Sequence, residues 1–499
     1  MLEQYKLLID IRRKVFEEVA RMAYEETDYH KLEELPYTLL KESVGRSSIF
    51  LERAIIAERI RLAIGLPVRD TSEHRPIYLG IEEALKSERY YEPPLVNVID
   101  FACNACPEES YYVTDICQGC LANPCKNVCP KGAITIKNRK SVINQELCIK
   151  CGKCSSVCPY KAIVKRERPC AKACEMHAIE SDKNGKAVIN YDKCVSCGMC
   201  MVNCPFGAIA DKSQILQIIN AIKSNQEVYA IIAPAFIGQF GAKLNLKTID
   251  DAFHKLGFTG VYEVSIGADL CTIEEAKDYL ENVPNKLKFM ATSCCPAWSV
   301  MAKTEFPEFK ENISMAMTPM VYTARLVKKE HPNCKVVFIG PCSAKKLEAS
   351  RKSVRSDVDF VLTFEEVYGM FNARGVDFSK LAESPLKNIT SSDGRGFAVM
   401  GGVAQAVVNS ASKIAMDREI KVFAAQGLDN CRKMLKEAQT GKYDGYLLEG
   451  MACPMGCVSG AGTLVSPNRA KALIGVSQKE AKFKECVDTV YKNKLEELD

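Results

Sequence analysis

Five cysteines in three short segments have the spacing of a metal site. Residues 292–298 read TSCCPAW, residues 340–346 read GPCSAKK and residues 449–457 read EGMACPMGC. Four thiolates are enough to hold a cubane iron–sulfur cluster. The segments supply those four and leave a fifth, Cys294, beside them without an obvious ligand duty. The chemistry that these residues predict is therefore that of an iron–sulfur centre.

A further sixteen cysteines lie between residues 103 and 204. Residues 148–158 and 194–204 each have the C-x2-C-x2-C-x3-C run, followed by proline, of bacterial ferredoxins. Residues 117–129 have the same run with two extra residues. The other four are Cys103, Cys106, Cys170 and Cys174. Cys103-x2-Cys106 has the spacing of the first half of a run and Cys170-x3-Cys174 that of the second half, although buried cysteines without a ligand role can mimic that spacing.

In two-cluster ferredoxins the fourth cysteine of each run binds the other cluster. We therefore predict an outer ferredoxin interrupted by an inner one, which resembles the four-cluster ferredoxin subunits of molybdenum oxidoreductases. Zinc is the alternative for CxxC pairs, but the chain has only five histidines and the spacings favour cubanes. The predicted ligand sets are Cys117, Cys120, Cys125, Cys158; Cys129, Cys148, Cys151, Cys154; Cys174, Cys194, Cys197, Cys200; and Cys103, Cys106, Cys170, Cys204.

The three later segments, in this order, resemble the loops that hold the H-cluster of [FeFe]-hydrogenases, which interconvert protons, electrons and dihydrogen. The resemblance covers about residues 215 to 470. It implies that the H-cluster cubane is held by Cys295, Cys342, Cys453 and Cys457. It also implies that Cys457 bridges to a diiron unit with carbonyl, cyanide and dithiolate ligands.

The same resemblance implies roles for residues around the diiron unit. Lys345 matches the lysine that pairs with a cyanide, a charge-assisted hydrogen bond. Pro234 and Ala235 match positions near the other cyanide, and Phe397 and Met451 match apolar wall. A lone lysine is ordinarily a surface residue, and it is the place of Lys345 in the same segment as the ligand Cys342 that favours the site interpretation.

A proton route is implied as well. Cys294 matches the family's proton-donating cysteine, and Glu275 and Ser314 match its relay residues. Asp278 stands on the same helix face as Glu275 where the family usually has a glutamate. Taken without the cysteine loops, two carboxylates on a helix would indicate only a solvated face.

The chain departs from the best-known members of the family at several positions. Gly340 replaces a methionine and Ala235 replaces a serine, while Ala297 and Met455 stand where glycine is commoner. This combination resembles the divergent clostridial branch called group B. Because the ligands and Cys294 are retained, we expect catalysis to be retained too.

Composition limits the other possibilities. The 499 residues are too many for one core, so two to four domains are expected. The net charge of +5 gives no reason to expect nucleic acid, although a local basic patch can guide an acidic protein partner. The first residues lack a signal-peptide layout, and the longest apolar stretch, residues 229–238, is too short for a bilayer. We therefore expect a cytoplasmic protein without membrane contact, in which metal ligation rather than disulfides explains the high number of cysteines, 25 in all.

The elements that position these residues follow from hydrophobic periodicity. Residues 7–22 and 49–64 have the helical period, the second run ending before Gly65 and Pro67. The segment Ala-Ile after each ferredoxin run predicts a short strand. Apolar runs at residues 228–233, 287–291, 336–339, 397–400 and 445–448 predict strands alternating with helices, and hence parallel sheets with the cysteine loops beyond the strands' carboxyl ends.

The predicted fold is an α/β catalytic domain with parallel sheets around the H-cluster, preceded by α+β bacterial-ferredoxin-like domains and an N-terminal all-α segment. The predicted boundaries are residues 1–95, 96–212 and 213–499, with residues 91–94 (YEPP) as the first linker. The N-terminal helices are expected to be structural, and partner docking is the alternative.

We predict a hydrogenase that exchanges electrons with ferredoxin or a similar small redox protein and depends on maturation proteins for its diiron unit. The alternatives are a non-catalytic iron–sulfur assembly protein of the same fold, which has no need for Cys294, Lys345 and Glu275 together, and a hydrogen sensor, for which no PAS or kinase module is visible.

Overall fold

The structure is a computed structural model that describes residues 5–25, 28–70, 72, 74–86, 92–384, 386, 389–416 and 418–498. Tyr91 of the predicted linker lies outside these residues. Among the described residues, no helix is both long enough and apolar enough to cross a bilayer.

The described residues of the N-terminal segment form four α-helices, and the two predicted from periodicity are confirmed. Ser48 caps the third helix by accepting a hydrogen bond from the N–H of Phe50, which satisfies a donor that has no partner inside the helix. The helices are α1 (Lys6–Glu25), α2 (Leu35–Leu39), α3 (Ile49–Ala63) and α4 (Ile81–Ala84).

Helix α1 does not have a core of its own. Its buried residues Val15, Phe16 and Val19 belong to one hydrophobic cluster with the strands of the C-terminal region. It crosses α15 (Phe364–Ala373) at Gly369, where a Cβ would lie 2.8 Å from the Cβ of Phe16. Arg12 on α1 forms an ion pair of 2.6 Å with Glu365 on α15. The N-terminal segment is thus a cap fixed to the C-terminal region, and the domain boundaries stay a prediction.

The ferredoxin region has two nested units of short strands and one-turn helices. Strand β1 pairs with β8 and encloses the pair of β2 with β5, all antiparallel, so the outer unit is interrupted by the inner one along the chain. The strands predicted after the cysteine runs are confirmed. The elements are β1 (Val96–Val98), β2 (Ser110–Val113), α5 (Pro124–Asn127), β3 (Ile134–Lys137), β4 (Lys140–Ile143), α6 (Lys153–Ser156), β5 (Ile163–Arg166), α7 (Pro169–Lys172), β6 (Ile179–Ser181), β7 (Ala187–Ile189), α8 (Met199–Val202) and β8 (Ile209–Asp211).

The C-terminal region is α/β with two parallel sheets. One has the strand order β10-β9-β12-β13 and the other β11-β15-β14. Every residue of β9 and β13 is buried, as expected when helices cover both faces, whereas β14 is a largely exposed edge. The strands are β9 (Val228–Ile232), β10 (Gly260–Glu263), β11 (Met290–Ala291), β12 (Lys335–Gly340), β13 (Phe360–Thr363), β14 (Lys421–Gln426) and β15 (Tyr446–Met451).

The helices of this region cover the sheets and connect their strands. They are α9 (Ile215–Lys223), α10 (Ile249–Leu256), α11 (Ser265–Asn282), α12 (Pro296–Glu305), α13 (Pro319–Glu330), α14 (Ala344–Ala349), α15, α16 (Ser392–Gly396), α17 (Gly402–Ile414), α18 (Leu428–Gln439) and α19 (Pro467–Lys479).

One predicted strand is wrong. Residues 397–400 form the turn between α16 and α17. Gly401 caps α17 with φ of 83°, in the left-handed region that favours glycine, and the N–H of Met400 bonds the carbonyl of Met455 in a loop rather than a neighbouring strand. The apolar run is buried because it faces the site, so burial there does not indicate a sheet.

Candidate metal centre and active site

The three cysteine segments meet at the carboxyl ends of three strands. Residues 292–298 follow β11, residues 340–346 begin at the last residue of β12, and residues 449–457 begin in the second half of β15. β11 and β15 belong to one sheet and β12 to the other, and the loops of both sheets converge beyond the strands' carboxyl ends, as predicted. They border one cavity of about 90 Å³. The cysteines that line it are Cys294, Cys295, Cys342, Cys453 and Cys457.

The remaining cavity wall brings together five residues that the sequence predicted for the diiron surroundings. Pro234 and Ala235 follow β9, and Phe397 comes from the turn before α17. Met451 ends β15, and Lys345 lies in the first turn of α14. Apart from the cysteines and Lys345, the lining is apolar, so the cavity suits a group that combines an anionic charge with poorly hydrated ligands.

Phe338 explains why glycine stands at position 340. A Cβ on Gly340 would lie 2.5 Å from the Phe338 ring and 3.2 Å from the Cβ of Ala233. Phe338 lines the cavity itself. The ring therefore occupies the space that the family's methionine side chain would need, and Gly340→Met would require Phe338 to move.

Lys345 is buried and already partnered. Its Nζ lies 2.7 Å from a carboxylate oxygen of Glu348 and donates a hydrogen bond of 3.4 Å to the carbonyl of Cys294. Burial lowers the pKa of Lys345, but Glu348 and the neighbouring thiols outweigh it and the pKa is raised. Glu348 is held in turn by the hydroxyl of Thr318 at 2.6 Å. The cation is thus fixed at the cavity wall, and Glu348 is a site residue that sequence reasoning missed.

Without a bound metal, the thiols of the predicted ligands resist ionisation. Burial first, and then the neighbouring thiols, raise the pKa of Cys342 to about 11 and that of Cys457 to about 12. The pKa of Cys453 is raised well above its usual value for the same reasons. Several thiolates in one apolar cavity need a compensating positive charge, which iron supplies.

Glu275 lies in the buried middle of α11, whose other turns pack on α13 and α17. Its Oε1 accepts a hydrogen bond of 3.3 Å from the N–H of Ser293. Its Oε2 is buried and has no hydrogen-bond partner among the described residues. Burial raises the pKa of Glu275 to about 8, although Ser314 and the N–H of Ser293 act to lower it. The carboxyl is therefore protonated at neutral pH.

The other predicted relay residues surround Glu275. Ser314 is buried and held by the bond from its N–H to the carbonyl of Ala291 at 2.8 Å. Asp278 is half-buried one turn further along α11, and burial raises its pKa. The Cys294 thiol has a pKa raised well above its usual value, first by burial and then by the charge of Glu275. Ser314 and Asp278 thus act on the pKa of Glu275, and Glu275 acts on that of Cys294, so that the four groups form an electrostatically linked series.

Two buried groups beside this series were not singled out from the sequence. Cys271 lies one turn before Glu275 on α11, and burial followed by the charges of Glu275 and Cys294 raises its pKa well above the usual value. Glu449 accepts bonds of 2.8 Å from the N–H groups of Gly401 and Ala404 and so fixes the start of α17. The sequence signal that could have identified Cys271 is its spacing of four residues from Glu275, which places both on one helix face.

In the ferredoxin region the fourth cysteine of each run has the same local geometry. The N–H of the residue four positions later donates to its sulfur, at 3.3 Å for Cys129, Cys158 and Cys174 and 3.4 Å for Cys204. Such bonds stabilise a thiolate. The half-run that begins at Cys170 therefore has the geometry of the complete runs.

Cysteines that belong to the same predicted ligand set lie near one another. Cys117, Cys120, Cys125 and Cys158 line one small cavity, and Cys174, Cys194, Cys197 and Cys200 line another. Burial raises the pKa of Cys106 and Cys170, and Cys103 and Cys204 raise both further. For the set of Cys129, Cys148, Cys151 and Cys154, the charges of Cys148 and Cys151 act on the thiol of Cys154, and Cys129 belongs to the same cluster of packed side chains.

Among the described residues, no three His, Cys, Asp or Glu side chains converge as they would around a single metal ion. In a cubane each thiolate binds a different iron atom, so its ligands stand apart rather than meeting at one point.

The outer ferredoxin unit adjoins the cysteine loops of the C-terminal region. A Cβ on Gly198, between Cys197 and Cys200, would lie 2.7 Å from the Cβ of Ala461 and 3.2 Å from the Oγ of Ser343. Cys342 also acts on the pKa of Cys197, which burial raises to about 12. Of the four predicted cubanes, the one on Cys174, Cys194, Cys197 and Cys200 therefore lies nearest the cavity.

A buried ion cluster fixes this junction. The Nζ of Lys346, which is fully buried, lies 2.9 Å from Asp211 at the end of β8 and 2.9 Å from Glu366 on α15. Ser343 donates to Asp211 at 3.1 Å. One lysine next to the cavity thus joins the ferredoxin region to the C-terminal region.

Comparison with known proteins agrees with this architecture. Residues 226–461 match the model of the iron only hydrogenase large subunit, C-terminal domain, and residues 141–164 and 187–210 match the 4Fe-4S binding domain. Each 4Fe-4S match contains one of the complete C-x2-C-x2-C-x3-C runs. The chain thus has 4Fe-4S binding segments next to an iron hydrogenase domain.

Relatives of two kinds are similar to the chain. Iron hydrogenase 1 of Clostridium pasteurianum is 27% identical over 51% of the chain and 53% of its own length. The periplasmic [Fe] hydrogenase large subunit of Nitratidesulfovibrio vulgaris is 27% identical over 44% of the chain and 63% of its own length. Cytosolic iron-sulfur assembly component 3 of Bos taurus is 26% identical over 48% of the chain and 62% of its own length.

The chain therefore spans between about half and two thirds of the length of these relatives. A solved structure of apo [FeFe]-hydrogenase from Chlamydomonas reinhardtii is 22% identical, with a TM-score of 0.45 over 55% of this chain and 89% of that one. On these matches, residues 226–461 belong to the iron hydrogenase family, and the two 4Fe-4S binding segments precede them in the chain.

Proposed function

We propose that the chain is an [FeFe]-hydrogenase that catalyses reversible oxidation of H2 and reduction of protons. The observation that carries this proposal is a spare thiol in a cavity that already has four cysteines for a cubane. Cys294 lines the cavity together with a fixed cation, Lys345, and lies close to a protonated carboxyl, Glu275.

The residues present fit a cubane joined to a diiron unit. Cys295, Cys342, Cys453 and Cys457 would hold the cubane, and Cys457 would bridge to the diiron unit. When bound, the diiron unit supplies the metal site at which hydrogen is made or split. Lys345 would pair with an anionic ligand of that unit, while Pro234, Ala235, Phe397 and Met451 would exclude water from it.

The chain's own residues would move the protons. The Cys294 sulfur holds the proton nearest the cavity, and Glu275 replaces it from the carboxyl whose Oε2 has no partner of its own. Ser314 and Asp278 connect Glu275 to the surface. A buried carboxyl with a pKa of about 8 is protonated near neutral pH but can still release its proton, as a relay group must.

The ferredoxin region would carry the electrons. We infer four cubanes on the sixteen cysteines between residues 103 and 204, in addition to the cubane of the H-cluster. Maturation proteins would supply the diiron unit and a ferredoxin-like protein would exchange electrons, in the cytoplasm. The departures at Gly340 and Ala235 support placement in the group B branch.

An iron–sulfur assembly role is the second candidate, because assembly proteins are among the relatives at similar identity. An assembly role would use the cubane ligands but gives no reason for a spare thiol, a buried lysine and a protonated glutamate around one cavity. The hydrogenase proposal accounts for all three.

The test is production of the chain with and without hydrogenase maturation proteins, followed by measurement of H2 evolution from reduced methyl viologen. The proposal expects evolution only from the matured protein. Matured protein with its cubanes intact and no H2 evolution or uptake would favour the assembly role.

A further inference from the structure

The basic charge of this chain is concentrated in one small unit. Residues 114–166, the inner ferredoxin, contain 10 of the 67 lysines and arginines but only Asp115 and Glu146 of the 62 acidic residues. Counting only lysine, arginine, aspartate and glutamate, the inner unit has a side-chain charge of +8, and the rest of the chain, with 57 basic and 60 acidic residues, has −3.

These cations are exposed and mostly uncompensated. All ten side chains are exposed. Within the unit, Lys140 pairs with Asp115 at 2.9 Å, and at its edge Lys165 pairs with Glu109 and Glu167. A surface with this excess of one sign attracts a partner of the opposite sign and speeds its association.

An apolar spot lies inside the basic surface, at one predicted cubane. Ile116 and Leu121 flank the Cys117–Cys120 segment and are 60% and 100% exposed. Tyr160, two residues after Cys158, is 50% exposed and borders the cavity of those cysteines. An apolar centre inside a charged rim is the usual anatomy of a protein interface.

This cubane is the one farthest along the chain of clusters from the catalytic loops. In the β2–β5 pair, Ser110 and Arg166 form the end that leads to Cys106 and Cys170 of the outer unit, and Val113 and Ile163 form the other end. Cys117 comes shortly after Val113 and Cys158 shortly before Ile163, so both lie at that other end. There the N–H of Thr114 bonds the carbonyl of Ala162.

The second inner cubane lies between these ends. A Cβ on Gly152, between Cys151 and Cys154, would lie 2.7 Å from the Oη of Tyr111 on β2. The order outward from the catalytic cavity is therefore the cubane of Cys197, the cubane of Cys103, the cubane of Cys151 and finally the cubane of Cys117.

We propose that the inner ferredoxin unit is the docking surface for a small acidic electron-carrier protein, which exchanges electrons with the cubane of Cys117, Cys120, Cys125 and Cys158. The proposal deepens the proposed function and rests on its assignment of the cubanes. Each encounter transfers one electron without making or breaking a bond: the carrier's centre is oxidised by one electron and the outermost cubane is reduced by one. Two encounters supply the two electrons that join two protons in H2.

The test uses the full chain with its cubanes but without the diiron unit, so that it does not depend on hydrogen chemistry. The probe is a plant-type [2Fe–2S] ferredoxin, an acidic carrier whose spectrum differs from that of a cubane. Calorimetry gives the dissociation constant, and stopped-flow absorbance follows electron transfer from the reduced probe. The variant is Lys126→Glu with Arg139→Glu and Lys161→Glu, three exposed cations beside the outermost cysteines.

A matched control makes the same charge change on the catalytic region, as Lys310→Glu with Lys352→Glu and Lys471→Glu, all exposed. We expect the first variant to bind the probe at least about tenfold more weakly, with a flatter salt dependence, and the control to stay within about twofold of the parent. Leu121→Ser, at a fully exposed position, should weaken binding several-fold without changing the salt dependence.

Iron content and the cubane EPR signal are measured for every variant, so that a folding defect is recognised. Equal weakening in both triple variants, or none in the first, would overturn the proposal, as would tighter binding of the parent to duplex DNA than to the probe. Loss of the proposed hydrogenase function would show instead as absent H2 turnover in matured protein, with ferredoxin binding unchanged.

Discussion

Replacement of Glu275 by glutamine tests the buried carboxyl at the centre of the proposed proton route. Glutamine keeps the size of the side chain and can still accept the hydrogen bond from the N–H of Ser293, but it cannot ionise. The ordinary pKa of a glutamate is 4.5, and burial raises that of Glu275 to about 8. Ionising it in the folded protein therefore costs about 5 kcal/mol, since each pKa unit corresponds to about 1.4 kcal/mol.

The pH dependence follows from this difference. Below the unfolded pKa the carboxyl is protonated in both states and Glu275→Gln changes little. As the pH rises toward the folded pKa of about 8, the unfolded chain releases the proton first and the wild type loses stability relative to the variant. Between about pH 6 and about pH 9 the free energy of unfolding of the variant should gain about 3 kcal/mol on that of the wild type.

Trp298 provides the assay. It is the only tryptophan of the chain, it is fully buried, and its Nε1 donates to the carbonyl of Thr292 at 2.9 Å, beside the cysteine loop. Urea unfolding followed by its fluorescence compares wild type and variant at both pH values. Glu281→Gln makes the same chemical change at an exposed position of α11 and is the control.

In matured protein the same substitution should lower turnover by ~10²–10⁴-fold, the usual loss of a positioned acid–base group, without changing the infrared spectrum of the diiron unit. An identical pH dependence of unfolding in wild type and variant would show that Glu275 titrates at its ordinary pKa. Near-normal turnover in Glu275→Gln would show that protons reach the cavity by another route.

Four further changes test other parts of the structure. Cys294→Ala should lower turnover by ~10²–10⁴-fold with the diiron infrared bands retained, whereas Cys457→Ala should lose the bands, and infrared spectra beside rates on one sample distinguish the two. Replacing Cys103 and Cys106 together by serine should lower the iron content of unmatured protein by about four atoms from about twenty; an unchanged count would remove both from the ligand sets. Lys346→Met should lower the free energy of unfolding by about 3–5 kcal/mol, because it leaves two buried carboxylates without their cation, and a change below about 1 kcal/mol in urea unfolding would contradict that role.

Much of the fold was predictable because the signals are local. The helical period of α1 and α3 and the apolar runs of β9, β12 and β15 were confirmed, with the cysteine loops at the strands' carboxyl ends. The run at residues 397–400 was misinterpreted because an apolar segment buried by the site has the same composition as a strand.

The features that the sequence did not predict depend on contacts between distant segments. The pairing of Lys345 with Glu348, and the packing of α1 on α15 through Gly369, arise only in the folded chain. The same is true of the Phe338 ring, whose position explains Gly340. Spacing identified the cysteines and the carboxylates of α11, but only the structure gives the unpartnered Oε2 of Glu275.

The infrared spectrum of protein matured with the hydrogenase maturation proteins tests the central claim most directly. Metal-bound carbonyl and cyanide absorb where the protein itself does not. If the cavity of Cys294, Cys295, Cys342, Cys453 and Cys457 holds a diiron unit, the matured protein will show both sets of bands and unmatured protein will show neither. Matured protein with intact cubanes and no carbonyl or cyanide bands would contradict the account.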